Sequence, residues 1–232
     1  MEGGTVGDRY EYVNSYENLA KDGYLVVSIE YPLSTMKNHL WSKQETEAAK
    51  GLLWIKNNAN KYHIDLNRVG LTGTSAGGNM AINIATKTND GTFNKILGQS
   101  LPKIKAVSVV VPAVNPAYLW NHVDISLRGM YREMGQKHFG GLPKDVPEAY
   151  DAINSTKIVN SSTPPILWAY GGSNHLVVPG GNGPTLNKLK TIGTKKKIIK
   201  LSYSDHTGVN MSSLSDQIYQ GATLSWFDKY VK

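Results

Sequence analysis

The 232-residue chain is 40% hydrophobic and 19% charged, which supplies one globular core and excludes a disordered tail or fibrous repeat. Lys and Arg number 25 against 18 Asp and Glu, a net charge of +7, and the lack of cysteine excludes disulfides, thiolate metal sites and a cysteine nucleophile. No apolar run approaches the roughly 20 residues of a membrane span and no leader-like segment opens the chain, so the reading is cytoplasmic, with no membrane partner.

Apolar runs then alternate with helical periods. Tyr24 to Tyr31 is β-rich, follows the helix stop Asp22-Gly23, and predicts a strand. Glu45 to Asn60 puts Ala48, Leu52, Ile55 and Ala59 on one face, which predicts an amphipathic helix. Arg68 to Gly73 reads as a short buried strand, Ala76 to Lys87 as a helix, and Ile104 to Val111 as a further strand. Pro112 to Pro164 is irregular, with weaker helical patches at Tyr118–Met134 and Pro147–Ile153. Pro165 to Tyr170 predicts a strand, Pro184 to Lys190 a helix, and Lys197 to Tyr203 another strand. Ser212 to Tyr230 predicts a closing helix with Ile218, Ala222, Leu224 and Phe227 inward. The expected fold is α/β, a predominantly parallel sheet with helices on both faces. Residues 1–232 form a single domain in this reading, with 112–164 an embedded cap or lid.

The basic residues concentrate at Lys188, Lys190, Lys195, Lys196, Lys197 and Lys200, between a helix end and a strand. That position suits a solvated face, since Lys complements a helix C-terminus. The competing reading is an anion-binding patch, but no aromatic interleaving supports it, and no nucleic-acid partner is expected.

Gly73-Thr74-Ser75-Ala76-Gly77 fits G-x-S-x-G. A serine on a tight strand-to-helix turn needs neighbours without side chains two residues away on either side, here Gly73 and Gly77. The following helix aims its free N–H groups at the reacting oxygen. An ordinary βα turn would show the same residues, and the predicted strand before and helix after favour the nucleophile.

Asp65 to Leu71 leading into Gly73 to Asn79 resembles the elbow region of the carboxylesterase and hormone-sensitive-lipase-like α/β-hydrolases. Val26 to Leu33 is similar to that family's fourth strand and turn, and Thr163 to Leu167 to its seventh. The resemblance implies an α/β-hydrolase-like fold, no cofactor, and a triad in the chain order Ser, acid, His. His206, after the last strand, matches the family's histidine; His122, His138 and His175 read as loop or cap residues, and His39 and His63 as surface ones. In the acid loop Gly171 to Pro179, Asn174 stands where the family has Asp. Asn174 either takes the third seat, through its carbonyl oxygen, or is a plain loop residue.

Ala76 should give one oxyanion-hole N–H. Gly3 and Gly4 resemble the family's glycine-rich oxyanion loop, or lie just past it, or have no role. The family's first strands have no counterpart here, which implies an N-terminally shortened chain: a fragment, a truncated gene product, or a member whose exposed sheet edge a homo-oligomer could cover. The implied function is hydrolysis of small acyl esters, acetyl among them, through an acyl-Ser75 intermediate, with a small-molecule ester as partner. The alternative is a catalytically inactive hydrolase-like binding or scaffold protein. A nucleotide-dependent dehydrogenase fits poorly: Asn79 stands where its last loop glycine belongs, and no Tyr-x-x-x-Lys pair occurs.

Overall fold

A computed structural model describes residues 16–206 and 213–232. Along the chain run α1 (Glu17–Lys21), α2 (Trp41–Asn57), α3 (Ala59–Tyr62), β1 (Val69–Thr74), α4 (Ala76–Asn89), α5 (Thr92–Leu97) and β2 (Ile104–Val110). There follow α6 (Pro116–His122), α7 (Arg128–Phe139), α8 (Pro147–Ala152), α9 (Ser155–Ile158), β3 (Ile166–Gly171), α10 (Gly183–Thr191), β4 (Lys196–Leu201) and α11 (Ser213–Tyr230). The four strands make one parallel sheet in the order β1-β2-β3-β4.

Successive strands that are also neighbours, joined by right-handed crossovers, put every crossover on the same face. The packing agrees. Val107 and Val109 of β2 and Ile166 and Trp168 of β3 point to one face, where Leu52 of α2, Ile82 of α4 and Leu189 of α10 bury against them. The intervening residues face the other way. Ala106 and Leu167 meet Leu19 of α1 and Trp226 and Phe227 of α11. Ser108 bonds Thr223 across that second interface at 2.8 Å.

One expectation fails and another holds only in part. Tyr24–Tyr31 joins no ladder among the described residues, although Ile29 and Tyr31 pack on the main core. β-branched composition specifies an extended backbone, and only a neighbouring strand at ladder distance turns that into a sheet. The inward face of α11 matches the expected one in part: Phe227 is buried and Ala222 and Leu224 pack on the second core, but Ile218 turns outward. Tyr219, Thr223, Trp226 and Phe227 are buried, whereas Ile218 is 40% exposed and Leu224 only half-buried. The large tryptophan and the Ser108 bond set the helix's rotation.

The Lys run falls on the end of α10 and on β4, an edge of the sheet. Lysines there discourage pairing with a further strand. No helix among the described residues is long and apolar enough to cross a membrane.

Candidate active site

β1 ends at Thr74 and α4 begins at Ala76, so Ser75 alone reverses the chain. Its backbone sits at φ 56°, ψ −122°, a conformation costing an L-residue on the order of 1–3 kcal/mol. Three hydrogen bonds hold it there. The Ser75 N–H donates to the Val110 carbonyl at 2.9 Å, and its own carbonyl accepts from Ala113 at 3.0 Å and Asn79 at 3.1 Å. Gly73 is obligatory, because a Cβ there would collide with the Gly77 carbonyl. Gly77 is buried in the first turn of α4. Ala76 opens that helix, so its N–H has no intrahelical acceptor and adds to the positive end of the helix.

Ser75, Ala76 and His206 line one cavity of about 520 Å³. Its far wall comes from the β2–β3 connection, chiefly α6 and α7, and is mostly apolar: Leu119, Trp120, Met130, Met134 and Phe139. Tyr131 on α7 donates its hydroxyl to the Leu176 carbonyl, which ties this connection to the loop after β3.

The loops after β3 and β4 are stitched together. Gly172 N–H donates to the Leu201 carbonyl at 2.8 Å, and Ser173 N–H to Ser204 at 3.1 Å. A Cβ on Gly171 or Gly172 would drive into the Ser204 or Ser202 carbonyl. The stitching lays Asn174-His175 beside Asp205-His206, and the partners cross. Asn174 Nδ2 stands 3.2 Å from His206 Nδ1. Asp205 instead serves His175: its Oδ2 lies 3.1 Å from His175 Nδ1, and its Oδ1 accepts the N–H of His175 at 3.0 Å and of His206 at 2.8 Å. Burial would raise the Asp205 carboxyl, but these hydrogen bonds outweigh it and hold the group below the usual carboxylate range. Burial pushes His206 below its ordinary value, against the upward pull of Asp205.

The expected contact from the Asn174 carbonyl to the imidazole is not the one formed. Asn174 Oδ1 accepts the Val177 N–H at 2.8 Å. Reversing the amide would set two donors against each other there, so the NH₂ faces His206 and donates to Nδ1. The ring proton then sits on Nε2, the nitrogen that a serine base must have free. Gly3 and Gly4, the residues expected to complete the oxyanion hole, lie outside the described residues.

Sequence reasoning missed a buried carboxylate beside this site. Glu45 is 2% exposed, accepts from Asn83 at 2.6 Å, and pairs with Lys87 at 2.5 Å. Burial raises its pKa against the opposing pull of Lys87 and Asn83. Asn83 and Asn79 both donate to the Ile153 carbonyl and accept from Ser155, which pins the end of the β2–β3 connection to α4. A helical signal was available: Glu45 lies one turn before Ala49 and two before Leu52, on the buried face.

Residues 2–188 match the family model described as BD-FAE. Esterase LipC of Mycobacterium tuberculosis is 24% identical over 163 residues, 69% of this chain and 39% of that protein. The isoprenylcysteine alpha-carbonyl methylesterase ICME of Arabidopsis thaliana is 25% identical over 202 residues, 82% of this chain and 44% of that protein. The chain therefore spans less than half the length of these curated relatives. Among solved structures, esterase B from Lactobacillus Rhamnosis superposes with a TM-score of 0.77 at 21% identity, covering 98% of this chain and 74% of that one. The overlap shows a shared α/β-hydrolase fold.

Proposed function

The chain belongs to the BD-FAE family, and from that premise we propose that it is a carboxylic-ester hydrolase with Ser75 as nucleophile and His206 as base. The observation that carries this reading is Ser75 itself, held at a positive φ between β1 and α4 on the wall of a cavity it shares with His206. The named esterase relatives support it. Residues 112–164 act as a cap, since α6 and α7 wall the cavity opposite Ser75.

In this reading Ser75 Oγ attacks the ester carbonyl carbon and its proton passes to His206 Nε2. The oxyanion forms against the Ala76 N–H. Collapse expels the alcohol, which takes the proton back from His206, and water releases the acyl group by the same steps. For Nε2 to accept a proton, the ring's own proton must move to Nδ1, where it meets the Asn174 NH₂. Asn174 thus opposes the working tautomer and the imidazolium, and turnover is slow. A cavity of about 520 Å³ would be largely empty around an acetyl group, so the substrate carries a bulkier apolar group on one side of the ester.

The Asn174 amide orientation also favours a second reading, an ester-binding protein that does not turn over its ligand. A fluorophosphonate probe and a p-nitrophenyl ester separate the two. The esterase reading expects covalent labelling and hydrolysis, both lost in Ser75→Ala while circular dichroism and melting temperature stay unchanged. Labelling that persists at another serine removes Ser75. Ligand binding without labelling or turnover selects the binding protein.

A further inference from the structure

Resting on the reading of this cavity as an ester site, we propose that His138 is a substrate-specificity residue, an N–H donor fixed by Ser34 that hydrogen-bonds an uncharged oxygen (hydroxyl, ether or carbonyl) in the non-reacting part of the ester. His138 closes α7 and lines the same cavity as Ser75. Its Nδ1 lies 3.0 Å from Ser34 Oγ. Ser34 is buried, and its oxygen already accepts the Leu40 N–H at 3.1 Å. The hydroxyl proton therefore goes to His138 Nδ1, because the reverse arrangement would leave a buried O–H without an acceptor. His138 then carries its proton on Nε2, which has no protein partner among the described residues.

The rest of that ring is immobilised. Phe139 packs edge-on against it with centroids 4.6 Å apart. The neighbouring His39 Nδ1 bonds the Lys137 carbonyl at 2.9 Å, so the turn around residues 34–40 is fastened to the end of α7 at two points. Burial, helped by His39, lowers the His138 pKa to about 4, which keeps the donor uncharged. A neutral donor suits a neutral oxygen better than a carboxylate or phosphate.

Several other polar groups on the cavity wall are already committed. Tyr131 and Tyr150 donate to the Leu176 and Gly141 carbonyls, Gln44 donates to Pro32, and Glu133 is paired with Lys137 at 2.6 Å. On a mostly apolar wall that also carries the indoles of Trp41 and Trp120, a fixed open donor discriminates strongly, since a ligand that covers it without an acceptor leaves it desolvated and unpaired.

The test uses matched esters in which one chain CH₂ is replaced by an ether oxygen, in a p-nitrophenyl acyl series and an alcohol-varied series. Non-hydrolysable ketone counterparts are titrated in parallel, with the fluorescence of Trp41 and Trp120 on the cavity wall as readout. Wild type should prefer one oxygen-bearing member at least tenfold in kcat/KM or in Kd. His138→Phe should abolish that preference, and His138→Gln, which keeps a donor, should restore part of it. Ser34→Ala acts through His138 and should weaken the preference. Imidazole ¹⁵N shifts should then show the Nε2–H tautomer of His138 giving way to a mixture. A binding preference that His138→Phe removes in a chain without turnover supports this assignment and sinks only the hydrolase reading. No preference at any position, a preference that survives His138→Phe, or an Nδ1–H tautomer in wild type overturns the assignment.

Discussion

At the residue scale, the proposed mechanism makes the amide of Asn174 decide how good a base His206 can be. Asn174→Asp would leave one oxygen on the Val177 N–H and turn the other to His206 Nδ1, which requires the N–H on that nitrogen and frees Nε2. In a serine-protease example, the reverse change lowers kcat about 10⁴-fold. The expected gain in kcat/KM here is at least about tenfold, roughly 1.4 kcal/mol of transition-state stabilisation; Asn174→Ala should give none. The pH profile supplies a second check. His206 must be neutral to act, and burial lowers its pKa, so the acid limb of the parent should lie below the ordinary histidine value. The new carboxylate should move that limb upward. An Asp variant with an unchanged rate and profile would remove Asn174 from the mechanism. His138 gives a stability test with a definite sign. Its pKa near 4 when folded, against an unfolded value of about 6.5, means the unfolded chain takes up the proton first. Stability is full above pH 6.5 and falls as pH drops towards 4, by about 3 kcal/mol. Urea midpoints between pH 7 and 4.5 should fall less in His138→Phe than in the parent. The tight turn of Gly73, Ser75, Ala76 and Gly77 was legible in the sequence because its geometry is local. The Asn174 orientation was not, since it depends on the Val177 N–H; nor was the function of His138, whose Ser34 partner lies 104 residues away.

At the element scale, the two joined loops and the α2–α4 polar contacts carry the site. Gly171→Ala should force the loops apart, lowering both melting temperature and ester turnover while leaving the Ser75 turn intact. Removing Lys87 should leave the Glu45 carboxylate buried with only Asn83 beside it. Lys87→Ala is expected to cost about 3 kcal/mol in a urea titration, the range for stripping one partner from a buried pair. Lys87→Ala paired with Glu45→Gln should recover part of that loss. The alternation of strands and helices was readable, because period-2 and period-3.6 patterns are sequence properties. The unpaired state of Tyr24–Tyr31 was not, since pairing depends on a neighbour. On α11 only Ile218 was misplaced: it is as apolar as the residues that are buried, and the choice falls to Trp226 packing on Leu167. Trp226→Ala should therefore cost about 3–5 kcal/mol, whereas Ile218→Ser, at an exposed position, should cost almost nothing.

At the scale of the whole molecule, the sheet's two faces are covered by different parts of the chain. The crossovers cover one, and α1 with α11 covers the other, held by Asn18 to Gln220 at 2.6 Å, Tyr24 to Asp228 at 2.9 Å, and Arg68 to the Val231 carbonyl at 3.1 Å. On the ribosome this sets an order of events. The face built from the crossovers can close as β1 to β4 emerge, but Ala106 and Leu167 stay wet until α11 has left the exit tunnel. Until then the nascent chain presents half a core to its surroundings or to a chaperone.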